Sequence, residues 1–336
     1  MKPPATLIRQ LLLAGLCALP ALAVARPVTP FYTHDQSPLA ELYGLPALQE
    51  ARLLNAGEQR YRLVAELANN YTVGKAENEE LLFDGETTRV VLDFAGHLGP
   101  RLEWGLQIPY VNHSPGVLDG LIRRWHDAFG LPQGGRERAP DERLDYHYVR
   151  NGETQFEQRL PSEGLGDIRL GGGWQLIQPR EGQENALALR ASVKFPTGDS
   201  TLLHGNGGTD LALWLSGARG GYGLGVSGSV FAGVGMLLME RGDVLPEQQR
   251  QRVAFGSLGA GAWLHPSLSL KLQLDYHGAL YRDSELTQLA QDTLQLSMGG
   301  SLRLIKYTEI ELGVMEDVAV GTAPDVVFHL AVTVSE

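Results

Sequence analysis

Cysteine is almost missing from this chain: the one thiol, Cys17, falls inside the first apolar run. That excludes a disulfide framework and any thiolate metal site, so a secreted chain of this size must rely on burial alone. Long apolar runs are missing too. Beyond the first 25 residues no stretch reaches the roughly 18 apolar residues of a membrane helix, and helical spans are excluded. Positive charge is scarce, with 28 basic against 39 acidic residues, which argues against a nucleic-acid partner. Neither a G-x-S-x-G elbow nor an H-E-x-x-H pair occurs. The one G-x-G-x-x-G, GLGVSG at Gly223–Gly228, lies within a strand pattern and opens no helix, so it offers no helix N-terminus to a pyrophosphate. No cofactor and no metal is expected.

The first residues carry Lys2 and Arg9, then LLLAGLCALPALAVA ending in the small-x-small pattern Ala23-Val24-Ala25. This reads as a secretory signal peptide over 1–25, cut after Ala25. Leu16 before Cys17 is too large for a lipoprotein site. Cleavage leaves 26 basic and 39 acidic residues, a net charge of −13.

Alternation dominates the rest. In SLSLKLQLDYHGALY, Leu268, Leu270, Leu272, Leu274 and Tyr276 share one face, and Ser269, Lys271, Gln273, Asp275 and His277 share the other. TLQLSMGGSLRL repeats the pattern. Such runs are about ten residues or longer, the length a tilted strand needs to cross a bilayer. Further segments start near Arg60, Thr88, Arg101, Gly166, Ala186, Thr209, Tyr222, Arg252, Glu309 and Asp325, giving about twelve strands. Tight connections (HLGPR, ARGGYG, LHPS, LIKYTE) alternate with long polar ones (NNYTVGKAENEELLFDGE, PTGDSTLLHGNGG, MERGDVLPEQQRQ, YRDSELTQLAQD). The pattern predicts an all-β, antiparallel, up-and-down transmembrane barrel over 59–336. Fourteen strands result if the hairpin around Asn151-Gly152 also crosses. Its second arm is polar on both faces, which places it outside the hydrocarbon, in one outer loop over 112–163.

Residues 26–58, broken by Pro27, Pro30, Pro38 and Pro46, form no long regular element. Their Leu39, Leu42, Tyr43 and Leu45 predict a plug-like segment in or under the periplasmic mouth. By strand parity Arg60, Arg62, Arg89, Arg101, Arg169, Arg190, Lys194, Lys271 and Arg303 point inward, with Glu66, Asp93, Glu103, Asp167, Asp210, Asp275, Glu309 and Glu311. The two signs nearly cancel, as in a structural salt-bridge network; a selectivity lining would favour one sign.

Within the outer loop, GLIRRWHDAFGLPQGG interrupts the strand pattern. Ser114 suits an N-cap and Pro115 a first turn, while Gly130 and Pro132 stop the helix. Leu118, Leu121, Ile122, Trp125 and Phe129 form one apolar stripe, which predicts a lid or packing element. His126 and Asp127, adjacent in sequence, diverge by about 100° on a helix and form no dyad.

GLGDIRLGGGWQLI (Gly164–Ile177) and ASVKFPTGD (Ala191–Asp199) resemble strand motifs of outer-membrane channel-like proteins of the meta-pathway phenol-degradation type, which implies a barrel and passage of hydrophobic compounds. QSPLAELYGLP, LLFDGET, LDGLIRRWHDAFGLPQGG and APDVVFHLAV resemble a proteobacterial family of unknown function grouped with outer-membrane barrels. That resemblance spans nearly the whole mature chain and carries over no catalytic residue.

The expected function is a passive outer-membrane channel for small or hydrophobic solutes, or an envelope structural protein, in a Gram-negative bacterium. Its expected partners are membrane lipid, lipopolysaccharide, a small solute and, during biogenesis, the barrel-assembly machinery. The alternative is an outer-membrane enzyme acting on lipid or peptide at the outer rim, for which His113 with Asp119, or His204 with Asp199, are the candidate pairs. A periplasmic binding protein is a third reading; it requires the outward leucines to be buried by protein.

Overall fold

A computed structural model describes residues 27–116, 120, 143–180, 185–223, 226–318, 321–324 and 326–336. Fifteen strands form one sheet. They are β1 (Gln59–Lys75), β2 (Glu79–Gly99), β3 (Leu102–Ser114), β4 (Asp145–Arg150), β5 (Glu153–Gln158), β6 (Ser162–Leu165), β7 (Arg169–Ile177) and β8 (Asn185–Lys194). After them come β9 (Asp210–Gly223), β10 (Val226–Met239), β11 (Arg252–His265), β12 (Leu268–His277), β13 (Thr293–Ile305), β14 (Thr308–Asp317) and β15 (Val326–Ser335). Consecutive wall strands pair antiparallel, and β1 pairs with β15 from Arg60↔Ser335 to Asn69↔Val326. The sheet therefore closes on itself. Strand β4 pairs with the outer part of β2 and with β5, and β6 with the outer part of β3, so the ring has the other twelve.

Alternation decides which side chains face out. Leu268, Leu270, Leu272 and Leu274 are exposed, while their neighbours Ser269, Lys271 and Gln273 are at most 2% exposed. Exposed aromatics mark both ends of the outer surface: Tyr61, Trp104, Trp174 and Tyr307 near the end of the tight turns, Tyr110 and Tyr276 near the other. These are the apolar band and aromatic girdles of a barrel that spans a membrane.

Two stretches depart from the expected layout. NNYTVGKAENEELLFDGE is paired almost throughout, because β1 and β2 continue together as far as Lys75↔Glu80. Beyond the bilayer the outward face needs no apolar residues, while Leu81 and Phe83 on the inward face join the core at the outer end. Pro100 and Arg101 form the turn between β2 and β3; Arg101 is exposed, and its inward assignment fails because the chain reverses there. The predicted helix, with Leu118, Leu121, Ile122, Trp125, His126, Asp127 and Phe129, lies outside the described residues.

Residues 27–58 run up inside the ring and back down. Val28 and Phe31 meet β10 and β12 through Ser229 and Gln273; Tyr32 meets β14 and β2 through Glu311 and Asp93. A turn over 37–43 lies at the outer end, where Tyr43 packs edge-on against Tyr281 at 5.9 Å. The chain then descends past β9, β7 and β8 to Leu53, beside Gln175, and enters β1. Only a segment within the lumen can touch so many wall strands in so few residues. It reaches well above the mouth where the sequence placed it.

The outer end is closed by an apolar core. Leu39, Leu42 and Tyr43 of the segment join Leu144, Tyr146 and Tyr148 of the outer hairpin and Leu203, Val244, Leu280 and Leu286 of the outer loops. Full burial of such side chains is worth roughly 1.5–3 kcal/mol each.

Candidate functional site

The site is the charged interior around this segment. An extended strand inside a barrel has backbone donors and acceptors without sheet partners, and each must find one. Its four prolines lower the number of donors, and wall side chains satisfy many of the groups that remain. Along the ascending arm, Glu311 accepts from the Tyr32 N–H at 3.2 Å and Glu66 from the His34 N–H at 3.3 Å; Asp93 accepts from the Tyr32 hydroxyl at 2.9 Å. Asp35 of the same arm meets His277 Nε2 at 2.9 Å. Along the descending arm the wall mainly donates. Lys194 Nζ bonds the Leu42 carbonyl at 3.1 Å, Arg169 bonds those of Tyr43 and Leu45 at 2.8 Å each, and Arg190 bonds that of Glu50. Asp210, Gln175 and Glu103 accept from the N–H groups of Gly44, Leu53 and Leu54.

Glycines of the wall make room for the segment's apolar side chains. A Cβ at Gly233 would stand 2.5 Å from a Leu48 methyl, one at Gly261 2.6 Å from Val28, and one at Gly173 2.9 Å from Leu53. No rotamer of a wall residue relieves contacts that close.

Behind these bonds the wall charges pair among themselves. His329 bridges Glu66 at 3.2 Å and Glu311 at 2.9 Å, and Glu311 also holds Lys271. Arg190 pairs with Glu103 at 3.0 Å and Lys194 with Asp167 at 2.6 Å.

Of the residues assigned to the lumen by parity, Arg60, Glu66, Arg89, Asp93, Glu103, Asp167, Arg169, Arg190, Lys194, Asp210, Lys271 and Glu311 are buried. Arg62, Asp275, Arg303 and Glu309 are half-buried. Sequence reasoning missed Gln175 and Gln273, polar inward residues of β7 and β12 that bind the segment's backbone, and the glycines beneath its side chains. Inward parity marks the two glutamines, but nothing local marks the partner.

At the periplasmic end the interior opens into a cavity of about 310 Å³ lined by Tyr32, Glu50, Arg62, Arg303, Glu309 and Glu311 among others. At the outer rim, Ser162 Oγ lies 3.0 Å from His204 Nε2 and accepts from Gln158 Nε2 at 2.6 Å. Burial holds the His204 imidazole below its ordinary value. The Asp199 carboxylate accepts from the Thr201 N–H and hydroxyl rather than from His204, so the His204–Asp199 pair does not form through that carboxylate. His113 is buried between Thr87 Oγ1 at 2.9 Å and the Leu203 carbonyl at 3.2 Å; Asp119 is outside the described residues. Among the described residues no cluster of three or more His, Cys, Asp or Glu side chains could hold a metal ion.

The model of a protein family of unknown function, DUF3187, matches residues 7–335. The chain belongs to that family. No curated protein matches the DUF3187 chain in sequence. Among solved structures it is similar to the COG4313 outer membrane channel from Pseudomonas putida F1, with 12% identity and a TM-score of 0.54 over 85% of this chain and 98% of that one. It is also similar to the Pseudomonas putida toluene transporter TodX (11% identity, TM-score 0.37, 92% and 94% covered) and to LpxR from Salmonella typhimurium (10%, 0.43, 81% and 99%). The first of these shares the fold with this DUF3187 protein, an outer-membrane β-barrel.

Proposed function

We propose that this protein is an outer-membrane channel for small solutes, exported by a cleaved signal over 1–25, whose lumen its own N-terminal segment closes at rest. The observation that carries the reading is the way residues 27–54 are held. The segment's backbone is bonded between its ends by charged and amide side chains of the wall. These hydrogen bonds are worth about 0.5–3 kcal/mol net each and each is replaceable by water. They stand beside apolar contacts of Val28, Ala47 and Leu48 with the wall. Both arms run to the periplasmic end, where the cavity lies, so the segment can withdraw that way once Leu39, Leu42 and Tyr43 leave the apolar core at the outer end. The fold shared with the COG4313 outer membrane channel supports the same reading.

The test is conductance in planar bilayers. A variant lacking residues 27–52 is expected to conduct in open steps, and the full chain to stay closed or flicker. Equal silence from both, with heat-modifiable gel migration showing folded barrels, would leave an envelope structural role. The Ser162–His204 contact is the one observation on the side of an enzyme at the outer rim. A hydrolytic activity that Ser162→Ala abolishes would establish that second reading.

A further inference from the structure

Two buried cations of the interior make no direct ion pair among the described residues. Arg89 on β2 and Arg169 on β7 are 3% and 4% exposed and stand on either side of β3. The other buried cations of the wall are paired: Arg60 and Arg190 with Glu103, Lys194 with Asp167, Lys271 with Glu311. Arg89 and Arg169 form no ion pair with a carboxylate among the described residues. Arg89 Nη1 and Arg169 Nε have no hydrogen-bond acceptor there either, and the two guanidiniums are close enough to repel one another. The two terminal nitrogens of Arg169 donate to neutral carbonyls, those of Tyr43 and Leu45. Glu41, at the turn of the segment, has a buried carboxyl group whose Oε1 lies 3.8 Å from His113 Nε2, and neither of its oxygens receives a hydrogen bond.

A guanidinium out of water without a direct counter-ion is costly, and a second one on the next strand but one adds to that cost. A planar fork of donors matches a carboxylate in two-point contact, which a backbone carbonyl satisfies only in part. Beside this pair the wall turns apolar: Tyr43 is the residue whose carbonyl Arg169 holds, and with Tyr146 and Trp214 it belongs to the core that closes the outer end.

We propose that Arg89 and Arg169 form an anion station in the lumen, which takes the carboxylate of a small acid with an apolar body when residues 41–45 move aside. The carbonyls of Tyr43 and Leu45 hold its place at rest. The inference rests on the channel reading, since the solute must reach the lumen.

The experiment is isothermal titration of the full-length protein in detergent with benzoate, and with acetate and chloride as comparators. Saturable benzoate binding is expected, roughly tenfold weaker in Arg89→Gln or Arg169→Gln. Arg169→Lys should keep part of the affinity. Heat-modifiable migration identifies folded variants. No saturable benzoate binding by the parent overturns the proposal, as does unchanged binding in a folded Arg89→Gln, Arg169→Gln protein. Equal binding of chloride or acetate overturns the apolar body. If benzoate binds but the variant lacking 27–52 does not conduct, the channel reading falls and the anion site stands; the reverse result removes the site and leaves the channel.

Discussion

The two arms of the N-terminal segment lie in one lumen and are held by opposite chemistry. The ascending arm, residues 27–36, offers N–H and hydroxyl groups to Glu311, Glu66 and Asp93. The descending arm, residues 41–54, offers carbonyls to Lys194, Arg169 and Arg190. The near balance of charge in the lumen thus has a cause beyond mutual pairing. A backbone has donors and acceptors in nearly equal number, and a wall that satisfies it needs both signs. Arg190 shows both duties at once, bonding Glu50's carbonyl and pairing with Glu103. The expected salt-bridge network exists, and a guest is built into it.

The largest expected effect comes from breaking the descending side. Arg190→Met removes the donor to Glu50 and leaves Glu103 with less of its buried counter-charge, which should cost about 3–5 kcal/mol. The unfolding midpoint in urea should fall, and a cysteine placed at Ala47 should label faster with a membrane-impermeant maleimide, while one at Thr33 should change little. Next, Leu272→Arg tests that the comparison concerns the lumen and not the barrel at large. Leu272 is 56% exposed on the outer face, and an arginine there should cost about 2–4 kcal/mol if it sits at the bilayer midplane. Assembly should suffer, with no selective labelling of either arm. Third, Glu311→Gln keeps the shape of the ascending side and removes its charge. It should cost about 1–3 kcal/mol and speed labelling at Thr33 rather than at Ala47. Similar labelling of both arms in Arg190→Met and in Glu311→Gln would show that the segment moves as one piece. The smallest effect belongs to the outer hairpin, which touches neither arm's charged contacts. Asn151 and Gly152 hold φ of 53° and 79°, and Asn151→Val should cost about 1 kcal/mol there and leave labelling of both arms alone.

The ring was legible because a lipid-facing strand has to alternate. Leu268 to His277 announces its two faces, and the hairpin around Asn151 announces by its polarity that it stays outside. The segment inside the ring was not legible in the same way. Its partners stand far along the chain, 242 residues from Phe31 to Gln273, and a backbone carbonyl leaves no trace in the side-chain pattern. Parity placed Arg169 and Arg190 inward without showing what they hold. The extension of β1 and β2 beyond the bilayer was hidden because its outward face needs no apolar residues and its inward Leu81 and Phe83 meet a core made by distant loops.

The seam where β1 meets β15 has a consequence for how the molecule comes into being. The ring closes only when the last strand reaches the first, so the wall's contacts are separated by as much as the whole barrel, as between Arg60 and Ser335. Contacts of that span form slowly. Until they do, Glu66, Glu311, Arg169 and Arg190 face an unfinished, hydrated groove, and the segment that precedes β1 has no completed interior to enter. Its seating is therefore a late exchange of bound water for backbone groups, made on charges that an aqueous interior had kept soluble until then.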